Sequence, residues 1–157
     1  MVEIRPATAS DVPAVAGIWH RGWADGHLGH VPDELVAART ERSFADRAAA
    51  LVDRTVVATV DGAVAGFVMV RGDEVEQVYV SADHRGGGVA PALLAEAERL
   101  VSAHHDTAWL AVVAGNTRAR RFYERRGWTD EGPFTHRAPG GIDVPAHRYV
   151  KRLRPTP

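Results

Sequence analysis

Residues 84 to 90 read His84-Arg85-Gly86-Gly87-Gly88-Val89-Ala90, between the apolar run Val78-Tyr79-Val80 and a helical pattern over residues 89–100. A strand, a turn nearly free of side chains and a helix start, in that order, leave a row of backbone N–H groups at the positive end of a helix dipole. Such a cradle takes an anion, most often a phosphate. A chain built around it has to combine strands with helices packed on them.

The rest of the sequence agrees with that requirement. Val2 to Arg5 alternates as a short strand, and Pro6 to Ser10 is a loop whose Ser10 can cap a helix beginning at Asp11. Val12, Val15, Ala16, Trp19 and Trp23 then form one apolar helical face. Gly26 and Gly29 break it, and Pro32-Asp33-Glu34 restarts a helical stretch to about Leu51, divisible around Arg42-Ser43. Strand-like runs follow at 55–60 and 63–70, joined by Asp61-Gly62, a strong hairpin signal. A third strand, Glu74 to Val80, enters the glycine turn, and a helix runs from about Gly88 to His104. Next come a strand from Ala108 to Val113, a helix from Asn116 to Arg126 and a strand from Trp128. A closing strand, about Ala146 to Leu153, lies beyond a loop containing Pro139-Gly140-Gly141. The order β, α, α, β, β, β, α, β, α, β, β describes a mixed α/β sheet, with no internal repeat and no low-complexity linker.

At 157 residues, 45% apolar and 25% charged, the chain suits one domain over 1–157, with 153–157 expected as a frayed tail. A formal net charge of −1 gives no global basic field for nucleic acid or anionic membrane, so neither partner is expected. There is no cysteine, which excludes disulfides, thiolate metal sites and cysteine nucleophiles. Met1 to Pro6 lacks the apolar core of a signal peptide, and no run approaches the roughly 18 apolar residues of a membrane span. A cytoplasmic protein is the expectation.

Which anion the turn holds decides the function. A P-loop needs a Gly-Lys-Ser/Thr ending, but Gly88 is followed by Val89-Ala90. The dinucleotide fingerprint needs a third glycine where Pro91 stands, and a longer parallel series around it. A glycine turn can also simply let a helix pack closely on a strand.

A second motif begins thirty-one residues after Arg85: Asn116-Thr117-Arg118-Ala119-Arg120-Arg121-Phe122-Tyr123-Glu124-Arg125-Arg126-Gly127-Trp128. With it the sequence resembles the GNAT superfamily of acetyl-CoA-dependent N-acetyltransferases. That family's Gln/Arg-x-x-Gly-x-Gly/Ala signature is matched by Arg85, Gly88 and Ala90. Its second element is matched by Asn116, Ala119, Tyr123 and Gly127, and its strand before the turn by Glu74 ahead of Val78-Tyr79-Val80. The resemblance implies a mostly antiparallel mixed sheet of about six to seven strands flanked by about four helices. A parallel pair, Val78 to Val80 and Ala108 to Val113, is splayed at the cofactor cleft. It also implies acetyl-CoA as co-substrate, its pantetheine arm along the backbone of Val78, Tyr79 and Val80. The pyrophosphate is expected on the N–H groups of Arg85, Gly86, Gly87, Gly88, Val89 and Ala90, with Pro91 removing one donor.

On a helix, Asn116, Ala119 and Tyr123 share one face. Asn116 would cap the helix, small Ala119 would admit a thin cofactor arm, and Tyr123 would point at the same groove or serve as a half-buried core tyrosine beside Phe122. The implied chemistry is direct attack of a primary amine, from a small molecule or a peptide or protein, on the thioester. An alkylammonium has a pKa near lysine's roughly 10.4, so a base must first take a proton. Glu74 is the candidate, directly or through water; Glu76 is the rival, on the same face unless a bulge changes the parity. Tyr123 is the candidate acid for the departing thiolate. The arginines at 118, 120, 121, 125 and 126 read mainly as a charged face, Arg120 being able to pair with Glu124. The histidines lack metal-ligand spacing, so no metal is expected. Trp23 and His27 lead into a region that forms one wall of the acceptor site in the family, and the loop Phe134 to Pro145 is expected to supply the opposite wall. The resemblance also allows a homodimer and, as a different class of function, an acetyl-CoA-binding regulatory module without transfer. No residue names the acceptor.

Overall fold

In the computed structural model, which describes residues 1–138 and 141–154, the strand-period segments join in one seven-stranded sheet. The strands are β1 (Val2–Pro6), β2 (Thr55–Val60), β3 (Ala63–Arg71), β4 (Glu74–Val80), β5 (Thr107–Val113), β6 (Thr129–Ala138) and β7 (Ile142–Arg152), in the order β1-β2-β3-β4-β5-β7-β6. Every neighbouring pair is antiparallel except β4 and β5. Five α-helices accompany the sheet: α1 (Val12–His27), α2 (Asp33–Ala38), α3 (Glu41–Ala50), α4 (Val89–Ser102) and α5 (Thr117–Arg125). The β2–β3 hairpin turns through Asp61 and Gly62 at φ 52° and 81°, the paired left-handed geometry that suits twisted strands.

Helices cover both faces, which is why the central strands are apolar on both. On one face Leu93, Leu94, Ala97 and Val101 of α4 pack with Val68, Val75, Leu110, Tyr123 and Tyr149. On the other, Val15, Trp19 and Trp23 of α1 pack with Phe44 of α3 and with Val57, Phe67, Met69 and Val113. The apolar stripe read from Val12 to Trp23 is therefore a core-facing stripe.

Several boundaries differ from the sequence reading. The start of α1 is organised by Thr8 and Asp11 rather than by Ser10. The Asp11 carboxylate accepts from Thr8 N–H at 2.8 Å and from the Arg5 guanidinium at 2.7 and 2.9 Å. Gly26 lies inside α1, and the break between α2 and α3 falls at Arg39-Thr40, where Thr40 Oγ1 accepts from Ser43 N–H at 3.1 Å. The stretch Phe134 to Pro145, expected as a loop, is mostly hairpin, with β6 reaching Ala138 and β7 starting at Ile142. Pro139 and Gly140 of that expected loop, and residues 155–157 of the expected tail, lie outside the described residues. Leu153 and Arg154 are tied down: Leu153 N–H donates to Asp106 O at 2.8 Å, and Arg154 pairs with the Asp106 carboxylate at 3.1 Å. Among the described residues no helix is long and apolar enough to cross a membrane.

Candidate active site

The parallel pair is where the sheet opens. Trp109 N–H donates to Asp73 O at 3.0 Å, and Glu74 opposite Trp109 is the one residue pair β4 and β5 share among the described residues. Beyond it the strands part, and a cavity of about 450 Å³ lies between them. Ser81 N–H donates to Ala65 O at 2.8 Å, toward β3, and Tyr79 pairs with Phe67 of the same strand. Backbone groups alternate along a strand, so those of Val78 and Val80 face the split. Tyr79, grouped with them in the expectation, also lines the cavity.

A β-bulge shapes the acidic end of β4. Gln77 pairs with Met69 and Val75 with Val70, leaving Glu76 as the extra residue. Val75, Val78 and Val80 pack with the α4 core while Tyr79 packs with the α1 core, so the bulge puts Glu74, Glu76, Gln77 and Tyr79 on one side. Glu74 and Glu76 both line the cavity. Arg71 pairs with Glu74 at 3.3 Å, and Glu76 is held by Arg54 at 3.1 Å and by Arg71 at 4.0 Å. Glu74 is 9% exposed. Its burial, and then the Glu76 charge, push its carboxyl above the ordinary range, with Arg71 opposing.

At the other end of β4 the glycine turn has the expected geometry. Gly86 and Gly88 have φ 82° and 85°, a left-handed conformation that favours glycine. Ala92 N–H to Gly88 O, at 3.2 Å, opens the bonding of α4. Gly88, Val89 and Ala90 therefore direct their N–H groups ahead of the helix, while Pro91 has none. Gly87 N–H is drawn back to His84 O at 3.4 Å. A second cavity, about 490 Å³, lies between Asp25 and Gly26 of α1, Arg85 of the turn, and Asn116 to Arg118 at the start of α5; Arg85 meets Asp25 there at 2.9 Å.

Helix α5 presents the face expected of it, since Asn116, Ala119 and Tyr123 all line the first cavity. Asn116 Oδ1 accepts from Ala119 N–H at 3.3 Å, and its amide lies so near Gly26 that a Cβ there would come within 2.7 Å. The Tyr123 ring stands edge-on to Phe122 at 5.3 Å and Trp128 at 6.1 Å, and burial raises its hydroxyl pKa. Burial raises that of Tyr79 too, with a further contribution from Tyr123. Arg120 does not pair directly with Glu124: it bonds Tyr149 Oη at 3.1 Å and Asp130 at 3.1 Å, and the Tyr149 hydroxyl donates to Glu124 at 2.7 Å. Arg118 borders the second cavity.

Of the two residues expected at an acceptor wall, His27 lines the cavity and Trp23 does not. Trp23 is core, packed on Phe44 at 6.0 Å, and it supports His27 by stacking at 4.7 Å. His27 Nδ1 bonds Trp23 O at 2.9 Å, and burial brings its pKa down to about 4, so the ring is neutral at neutral pH. The sequence reading did not single out Arg47, Arg71 or Trp109, which also line the cavity; His136, Arg137 and Val144, which line it too, fall in the stretch Phe134 to Pro145 expected as the opposite wall. Arg47 stacks over Trp19 at 4.3 Å. Its only sequence signal is its place three residues after Phe44 on an amphipathic helix. Among the described residues no group of His, Asp or Glu is arranged to hold a metal.

The sheet is thus opened at its parallel pair, with an N–H cradle at the end of one of those strands. Residues 19–128 match the Acetyltransferase (GNAT) family, and the chain belongs to that family. Solved structures of the same fold include a GCN5-related N-acetyltransferase from Rhodopseudomonas palustris, at 24% identity and TM-score 0.75, covering 96% of this chain and 94% of that one. A ribosomal-protein-alanine N-acetyltransferase from Brucella melitensis is 22% identical with TM-score 0.73, over 96% and 99%. A phosphinothricin acetyltransferase from Sinorhizobium meliloti, in complex with acetyl-CoA, is 19% identical with TM-score 0.71, over 97% and 88%. No curated protein matches the sequence.

Proposed function

We propose that this acetyltransferase moves the acetyl group of acetyl-CoA to a primary amine by direct attack in a ternary complex, with Glu74 as base and Tyr123 as acid. The observation that carries the residue roles is that Glu74 and Tyr123 line one cavity, opened where β4 and β5 part. The backbone groups of Val78 and Val80 are free to pair with the amides of an extended pantetheine arm, and Ala119 leaves it room. The N–H groups of Gly86, Gly88, Val89 and Ala90 receive the pyrophosphate, with Arg85 beside them.

Exchanging a thioester for an amide needs little of the protein beyond positioning and proton management. Glu74, buried and lifted above the ordinary carboxylate range, takes a proton from the acceptor ammonium directly or through water. Its rival Glu76 is held by two arginines, which favour a structural role in fixing the bulge. The Tyr123 hydroxyl, kept protonated by burial, donates to the thiolate as it leaves.

Tyr123→Phe keeps the ring packing and removes the proton donor. The chain has no cysteine, so a thiol reagent reads released CoA without background. The expected result is a loss of turnover of about a hundredfold or more, with acetyl-CoA affinity unchanged. Undiminished turnover of a confirmed acceptor would remove Tyr123 from this role.

A further inference from the structure

The charges facing the cavity do not balance. Its two carboxylates are matched, Glu74 by Arg71 and Glu76 by Arg54 and Arg71. Two more arginines line the same cavity from other elements: Arg47 of α3 and Arg137 of the β6–β7 hairpin. Neither has a carboxylate within ion-pair distance among the described residues. The Trp19 ring under Arg47 orients its guanidinium without neutralising it. Burial and then the Arg39 charge lower the Arg47 pKa to about 10, with the Tyr79 hydroxyl and the Glu76 carboxylate opposing at longer range, so it stays ionised at neutral pH. Burial holds His27 and His136 below the usual histidine range, which leaves their rings as neutral hydrogen-bonding groups.

The part-buried Arg47 guanidinium, with no carboxylate in contact, is a costly state that an incoming anion relieves, and Arg137, exposed on the hairpin, adds a second donor fork at the cavity rim. Its planar fork matches a carboxylate or another two-oxygen acid bidentately. The donor's phosphates do not supply that anion here, because the turn that would cradle them borders the second cavity at Arg85, whereas Arg47 and Arg137 line the first.

We infer that the acceptor is a small amine that also carries an acid group, its acid seated on Arg47 and Arg137 and its ammonium turned toward Glu74. This deepens the amine-transfer reading above and rests on it. The cavity is bipolar, and a zwitterionic amino acid complements both poles where a simple alkylamine satisfies one.

The test is a panel of matched acceptors: each amino acid, its carboxamide and the corresponding decarboxylated amine, assayed with acetyl-CoA by CoA release and product mass. The acids should exceed their neutral partners in kcat/KM by at least tenfold. Arg137→Gln, on an exposed hairpin position, and Arg47→Gln should each raise KM for the acid by tenfold or more. The affinity for acetyl-CoA should not change, and the preference for acids should collapse. Neutral amines acetylated as well as the acids, or folded Arg137→Gln and Arg47→Gln variants that keep the preference, would overturn the inference while leaving amine transfer intact. Acetyl-CoA binding with no amine acetylated in any class would overturn the amine-transfer reading itself, and this inference with it.

Discussion

Replacing Gly88 by alanine separates the conformational role of the turn from its role as a donor site. Gly88 has φ 85° and ψ 4°, and a Cβ built there meets nothing within 4 Å, so the cost is backbone strain alone. A left-handed conformation costs an L-residue roughly 1–2 kcal/mol, offset by about 0.4–1 kcal/mol from the stiffer unfolded chain. The net loss is about 1 kcal/mol, or roughly 2–4 °C in Tm for a chain of this size. Gly62, at φ 81° with equally open space, provides the control in a hairpin turn away from the cleft. Gly62→Ala should lose the same stability. Only Gly88→Ala should also lose donor affinity, because relaxing the strain rotates the peptide planes whose N–H groups are the proposed pyrophosphate donors. One such bond to a charged oxygen is worth roughly 1.5–3 kcal/mol, or about 10- to 100-fold in Kd. Calorimetric titration with CoA, beside a thermal melt of each variant, reads both quantities. Binding by Gly88→Ala within threefold of the parent, or an equal loss in Gly62→Ala, would refute the assignment of the cradle.

Two further outcomes follow from the carboxylates. As the proposed base, Glu74 must be deprotonated to act, so kcat/KM should rise with pH through a limb above the ordinary carboxylate range; Glu74→Gln should remove that limb and cost about 10²- to 10⁴-fold in rate, whereas a limb lost only in Glu76→Gln would reassign the base. Asp11, lowered to about 2 chiefly by its bond from Arg5, contributes stability that is full above the unfolded-state pKa and is lost as pH falls through about 2. Asp11→Asn should therefore cost roughly 1–2 kcal/mol near neutral pH, the partial exposure of Arg5 holding the figure down. In denaturant melts its difference from the parent should shrink toward zero in acid.

Features set by local chemistry were legible in the sequence. The bounds of β4 at Glu74 and Val80 follow from apolar alternation between turn residues, and Asp61-Gly62 specifies its own hairpin. Asn116, Ala119 and Tyr123 share a face because helical spacing requires it. What escaped depends on partners distant in the chain. The bulge at Glu76 exists only in register with β3. Thr8 takes the place expected of Ser10 because Arg5 and Asp11 complete the cap. The edge strand β6, polar and interrupted by Pro133, has no apolar face of its own and becomes a strand through pairing with β7. Arg47 reads as a solvated helix residue until Trp19 and the cavity are placed beside it.

The donor site is examined most directly by following backbone amide resonances while CoA is added. Saturable shifts are expected at Gly86, Gly88, Val89 and Ala90 and at Val78 and Val80 on the open edge of β4, with Gly62 and the rest of the β2–β3 hairpin unmoved. A titration that leaves those amides unshifted, or moves a different face of the sheet, would contradict the placement of acetyl-CoA in this cleft.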